Sequence, residues 1–143
     1  MKIEKIFLAS DHAGFLLKKA IIEFLTKKGI KILDLGTKNN KSVDYPDFAH
    51  LLSRKIKDKK NNFGILVCGS GIGMSMTANR HRNIRAALCH NSKSAILSRK
   101  HNNANVIALG SRLTKKKVAL KCINVFLKTN FEGGRHFRRI KKI

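Results

Sequence analysis

Cys68 stands immediately before three alternating glycines in the run Cys68-Gly69-Ser70-Gly71-Ile72-Gly73. Glycines so spaced between a strand and a helix let successive backbone N–H groups converge on one point, which suits an anion. The same spacing also serves a plain tight turn. It is not a P-loop, because Gly73 is followed by Met74-Ser75 rather than by Lys and a hydroxyl residue. Nor is it the GxGxxG dinucleotide fingerprint, since Gly71-Ile72-Gly73 leads into Ser75-Met76 with no third glycine. The cysteine gives the stretch its chemistry. At a strand end beside a helix N-terminus, a thiol is expected to titrate within about 3.5–7.5 rather than near the free value of ~8.5. A thiolate there can act as a nucleophile or as a general base. Cys89 and Cys122 read instead as small core residues.

Other polar residues cluster after strand-like runs: Asp11-His12-Ala13-Gly14, His101-Asn102-Asn103 and Gly110-Ser111-Arg112. His12 and His101 both follow element ends expected on the ligand side of a sheet. His50, His81 and His90 lack that support and read as surface residues. His136 lies in Gly133-Gly134-Arg135-His136, a stretch too polar for core. Arg135, Arg138 and Arg139 are either a solvated basic tail or a clamp on an anionic group, which the planar guanidinium fits well. Eight acids and no HExxH-like spacing give no reason to expect a metal site.

These residues must be held by elements, and the chain supplies them at regular intervals. Short apolar runs at Lys5–Ser10, Ile30–Leu35, Phe63–Cys68, Ile84–Cys89 and Asn105–Leu109 suit parallel strands buried on both faces. Helical patterns lie between them. Phe15–Lys28 sets Phe15, Leu16, Ala20, Ile21, Phe24 and Leu25 on one face and stops at Gly29. Pro46–Lys59 opens on a proline and buries Phe48, Leu51, Leu52 and Ile56. Ser92–Arg99 and Thr114–Lys128 fill the later gaps, with Thr114 as the expected N-cap. The alternation predicts one α/β domain over residues 1–143, a five-stranded parallel sheet between two helix layers, followed by a basic tail from about Glu132. Ligands of such sheets bind beyond the C-terminal strand ends, where the polar residues above are placed.

Bulk composition narrows the function classes. No apolar run approaches the roughly 20 residues of a membrane span, and the N-terminus enters a strand without a secretory signal pattern. Three widely spaced cysteines without a CxxC pair point away from a disulfide framework, which places the chain in a reducing cytoplasm. The formal net charge of +23 attracts phosphate regardless of sequence. Its scatter over every helix, without an aromatic-interleaved basic motif, favours a solvated surface over a dedicated nucleic-acid binder. Any nucleic-acid binding is expected to be non-specific.

Seven motifs occur in order and together resemble ribose-5-phosphate isomerase of type B, within the wider group that includes galactose-6-phosphate isomerase subunits. They are Asp11-His12-Ala13-Gly14, Asp44-Tyr45-Pro46-Asp47, Cys68 to Gly73, Ile84-Arg85-Ala86-Ala87, His101 to Val106, Leu109-Gly110-Ser111-Arg112 and Phe131 to His136. The resemblance implies a metal-independent, Rossmann-like three-layer sandwich, a homodimer or tetramer with active sites between subunits and no cofactor. It implies Cys68 as the base moving a proton between C2 and C1. The backbone of Gly69, Gly71 and Gly73 would stabilise the enediolate, and Ser70 would assist. His101 would open the furanose ring. Asp11, Tyr45 and Asn102 would contact hydroxyls, and His12, Arg112, Arg135 and Arg139 would hold the phosphate. Some members carry a glutamate base at the position of Met74 and lack the cysteine, and others have Thr in place of Ser70. The implied reaction is conversion of ribose 5-phosphate to ribulose 5-phosphate in the pentose phosphate pathway. The alternatives are isomerisation of allose or galactose 6-phosphate, and a basic nucleic-acid-binding protein on a reused fold.

Overall fold

The computed structural model describes residues 3–56 and 61–143. Five strands form one parallel sheet in the order β2-β1-β3-β5-β4: β1 Lys5–Ser10, β2 Ile32–Asp34, β3 Asn62–Cys68, β4 Ala86–Leu88 and β5 Val106–Gly110. Side chains alternate across it, as the pleat requires. Ile6, Leu8, Phe63, Ile65, Val67, Ile107 and Leu109 enter one core cluster, under α1 Phe15–Thr26, α4 Ser92–Asn102 and α5 Lys116–Lys128. Phe7, Ala9, Leu66, Cys68, Val106 and Ala108 enter the other, under α2 Tyr45–Lys55 and α3 Ile72–Ala78. Strand order reverses between β1 and β3, because β2 and β3 leave β1 on opposite sides. A crevice opens beyond the strand ends at such a switch point. Asp11 and Cys68 stand there side by side, the Asp11 N–H donating to the Val67 carbonyl at 3.2 Å.

Several expectations shift. β2 and β4 are shorter than their apolar runs because both are edge strands, paired on one side only. α1 is rotated: Leu16 is 73% exposed, whereas Leu17 and Lys18 are buried, the ammonium of Lys18 pairing with Asp34 at the end of β2. Leu51 of α2 faces outward, and the expected end of that helix at Lys59 falls outside the described residues. Thr114 does not cap α5, which begins two residues later with Lys115 at the cap position. Its hydroxyl is buried without a partner among the described residues. The expected basic tail contains a further helix, α6 Arg135–Ile140, whose His136 is only 7% exposed. That overturns its assignment outside the core; the stretch is polar, but His136 packs its ring against another imidazole.

Arg99 fixes the end of α4. It is 3% exposed, yet its guanidinium has carbonyl and amide partners and no carboxylate among them. Nε donates to the Thr129 carbonyl at 3.2 Å, and Nη1 to Asn103 Oδ1 at 3.0 Å and to the Ala104 carbonyl. The ring centroids of Phe63 and Phe126 lie 4.9 and 5.6 Å from Cζ. Burial lowers its pKa to about 10, with Arg85 adding to the effect, so it stays charged at neutral pH. Replacing it leaves buried carbonyls unpaired and opens a cavity. Arg99→Ala is expected to lower the melting temperature by roughly 10 °C, a loss of about 3 kcal/mol, measurable by calorimetry.

Candidate active site

A cleft of about 520 Å³ lies at the switch point, walled by Asp11, Tyr45, Cys68, Ser70 and Arg112. Its shape depends on close backbone approaches that only glycine permits. A Cβ at Gly110 would stand 2.5 Å from the Ser70 carbonyl oxygen, and one at Gly73 2.5 Å from the Tyr45 ring. Gly71 adopts φ +78° to turn the chain from β3 into α3. That turn aims its N–H at the thiol: Gly71 N donates to Cys68 Sγ at 3.1 Å.

The remaining walls are tied to the same loop. Ser111 N donates to the Cys68 carbonyl at 2.8 Å and Arg112 N to the Gly69 carbonyl at 2.9 Å, so the end of β5 carries Arg112 over Gly69. Asp11 Oδ1 accepts from Gly14 N at 2.9 Å, leaving its second oxygen for a ligand hydroxyl. Ser70 Oγ accepts from Ile72 N at 3.2 Å, which leaves its hydroxyl hydrogen free. His12 Nδ1 accepts from Val43 N at 3.2 Å, so its proton resides on Nε2.

The expected site residues therefore divide. Asp11, His12, Tyr45, Cys68, Gly69, Ser70, Gly71, Gly73 and Arg112 gather at one end of the sheet. His101 and Asn102 do not join them, contrary to their expected place on the ligand side. α4 is a crossover helix and returns the chain to the start of the next parallel strand. His101 thus precedes Val106, whereas Cys68 pairs with Gly110 at the far end of β5, roughly 13 Å away along the strand. Arg135 and Arg139 of α6 lie on the His101 side, since Glu132 N bonds the Lys100 carbonyl and α6 packs on α4.

This second cluster is organised around a residue that sequence reasoning passed over. Glu132 Oε1 pairs with Lys100 Nζ at 3.0 Å, while Oε2 faces His101 Nε2 at 4.0 Å and His136 Nε2 at 3.8 Å. The two imidazoles stack with centroids 4.3 Å apart and 11° between planes. The Lys100 ammonium holds the Glu132 carboxyl below its usual range. Desolvation, then His101, Arg135 and Arg139, push the His136 pKa down. One signal existed: Glu132 is the sole acid after Asp58. Nothing in the sequence spacing brings these groups together, because two histidines 35 positions apart meet only in the fold, where the candidate ligand atoms of His101, Glu132 and His136 lie within 4.8 Å of one another.

The remaining histidines and cysteines are simpler. His90 is exposed, as expected, but His50 and His81 are half-buried partners with Nδ1 and Nε2 2.7 Å apart. Burial, then His50 and Arg54, lower the His81 pKa. Cys89 and Cys122 are buried, and burial pushes both thiols up, Cys122 to about 11. Among the described residues, no helix is long and apolar enough to cross a membrane.

Comparison with known proteins agrees with this geometry. The family model described as Ribose/Galactose Isomerase matches residues 6–143. Ribose-5-phosphate isomerase B of Escherichia coli K12 is 38% identical over 141 residues, covering 99% of this chain and 95% of the relative. The solved structure of ribose-5-phosphate isomerase B from Mycoplasma genitalium with bound ribulose 5-phosphate superposes with a TM-score of 0.94. It is 46% identical, with 99% of this chain and 95% of that one covered. Ribose-5-phosphate isomerase B of Clostridium thermocellum gives the same TM-score at 45% identity, covering 97% of this chain and 94% of that one.

Proposed function

Because this chain belongs to the ribose/galactose isomerase family, we propose that it interconverts ribose 5-phosphate and ribulose 5-phosphate by proton transfer through an enediolate. The observation that carries the reading is the Cys68 thiol, which lines the cleft with the Gly71 nitrogen 3.1 Å from its sulfur. The thiolate takes the C2 proton of the open-chain aldose, and the thiol so formed, which exchanges with solvent, delivers a proton to C1. Charge that develops on the carbonyl oxygen is met by the N–H groups of the Gly69–Gly73 loop, fixed before the reaction and worth most where water is excluded. The Ser70 hydroxyl, with its hydrogen free, supplements that donor set. Asp11 and Tyr45 orient the sugar hydroxyls.

The phosphate and the ring-opening step draw on the second cluster. His12 and Arg112 stand at the cleft, whereas His101, Asn102, Arg135 and Arg139 stand at the opposite end of the sheet. One chain therefore cannot gather the full set. The working unit is a homo-oligomer in which His101 of the partner subunit opens the furanose. Arg135 and Arg139 of the partner subunit close on the phosphate. Ile72, Met76 and Leu113, large apolar residues exposed around the cleft, supply the surface that such an interface covers.

The test is turnover of ribose 5-phosphate by the purified, chelator-treated protein, followed by ribulose formation, with allose 6-phosphate and galactose 6-phosphate in parallel. The expected kcat/KM is at least about tenfold higher for the five-carbon substrate, since an extra carbon moves the phosphate off its anchors. Preference for a six-carbon phosphate would reassign the substrate and keep the chemistry.

A further inference from the structure

The His101–Glu132–His136 cluster is more than a meeting of side chains. We infer that it is a binding site for one borderline divalent transition-metal ion of the Zn²⁺ class, and that occupancy shuts the enzyme down. The three candidate ligand atoms lie within 4.8 Å of one another. Both Nε2 atoms face the same carboxylate oxygen, at 4.0 and 3.8 Å. A point equidistant from the three stands about 2.5 Å from each, against the ~2.0–2.2 Å of zinc–nitrogen and zinc–oxygen bonds. Binding therefore requires one imidazole to turn out of the stack so that both Nε2 atoms aim at the ion, and the exposed ring of His101, beside the exposed carboxylate of Glu132, is free to do so.

The donor set selects the ion. Two imidazoles and one carboxylate, with a position left for water, match the three-ligand sites of zinc, whereas magnesium and calcium demand oxygen. Lys100 strengthens the arrangement rather than blocking it. It engages Oε1 and so holds the carboxylate with Oε2 turned toward the imidazoles, the outer-sphere support that metal-binding carboxylates generally have. The surrounding Arg135 and Arg139 disfavour a cation, which makes the single negative charge of Glu132 indispensable.

The consequence rests on the proposed isomerase reading. A His101 whose Nε2 is on a metal cannot shuttle protons for ring opening, and a metal beside Arg135 and Arg139 competes for the space of the phosphate. Zinc then acts as a reversible inhibitor that uses no residue of the Cys68 cleft.

The test is equilibrium dialysis of tag-free, chelator-stripped protein against Zn²⁺, with metal measured by elemental analysis. Wild type is expected to bind one ion per chain. Cys68→Ala is expected to bind equally, and Glu132→Gln and His136→Ala at least about tenfold more weakly, since loss of mere supporting partners already costs 10–100-fold. Circular dichroism of each variant controls for folding, and Co²⁺ as a spectroscopic probe is expected to show d–d absorption without a thiolate charge-transfer band. No binding by wild type, binding unchanged in Glu132→Gln and His136→Ala, or binding lost in Cys68→Ala would overturn the site. In the activity arm, Zn²⁺ is expected to inhibit wild type and a chelator to restore it. Stoichiometric metal without inhibition would retain the site and remove the inhibitory role. A protein without isomerase activity would instead fail the functional reading while dialysis still decides the metal site.

Discussion

Cys68→Ala is expected to reduce kcat for ribose 5-phosphate by about 10³–10⁴-fold while KM moves within about threefold. The reasoning is positional. Sγ sits at the C-terminal end of a central strand, buried, with the Gly71 N–H on it and the cleft before it. The expected contacts to hydroxyls and phosphate use Asp11, Tyr45, Arg112 and the cationic groups, so binding survives loss of the thiol. Met74, where relatives of the glutamate type carry their base, is a fully buried thioether. Ser70→Ala, by contrast, is expected to cost only about tenfold, because the backbone donors remain. A Cys68→Ala enzyme with undiminished kcat would remove the thiol from the mechanism, and steady-state kinetics on metal-free protein decides it.

His101→Ala is expected to be nearly as damaging, and its failure should be repairable by a second inactive protein. Cys68 and His101 lie at opposite ends of the same sheet. If the working site takes its thiol from one subunit and its imidazole from another, a mixed dimer of Cys68→Ala and His101→Ala contains one intact site and one doubly defective one. Random re-association makes half the dimers mixed, so activity should return to about a quarter of wild type. Each parent alone stays near zero. A mixture that remains as inactive as its parents would mean that the residues act within one chain, or that one of them does not act at all. Activity against the mixing ratio, after dissociation and re-association, gives the answer directly.

Why some of this was legible in the sequence and some was not follows from particular residues. β1 keeps its expected bounds, Lys5–Ser10, because it pairs with β3 along its whole length. The outer strands are trimmed where pairing ends, which an apolar run cannot reveal. The glycine loop was readable because Gly71 and Gly73 answer local constraints, a positive φ and contact with a neighbouring ring. The rotation of α1 was not, because it depends on Lys18 reaching Asp34 on a different element. His101 illustrates the largest gap. Its residue type pointed to chemistry, but its end of the sheet is set by the direction of a crossover helix, and its neighbours Glu132 and His136 arrive from a basic tail whose packing no local pattern indicated. Local pattern locates the strand-end chemistry; long-range topology decides which half of the site a single chain can complete.

Proton transfer itself is best watched in heavy water. Incubating ribose 5-phosphate with the metal-free wild-type protein in D₂O, followed by NMR, is expected to yield ribulose 5-phosphate carrying solvent deuterium at C1, with both conversion and labelling lost in Cys68→Ala. Conversion and labelling that persist undiminished in Cys68→Ala would contradict the thiol as the base that moves the proton. No conversion by the wild type would contradict the isomerase itself.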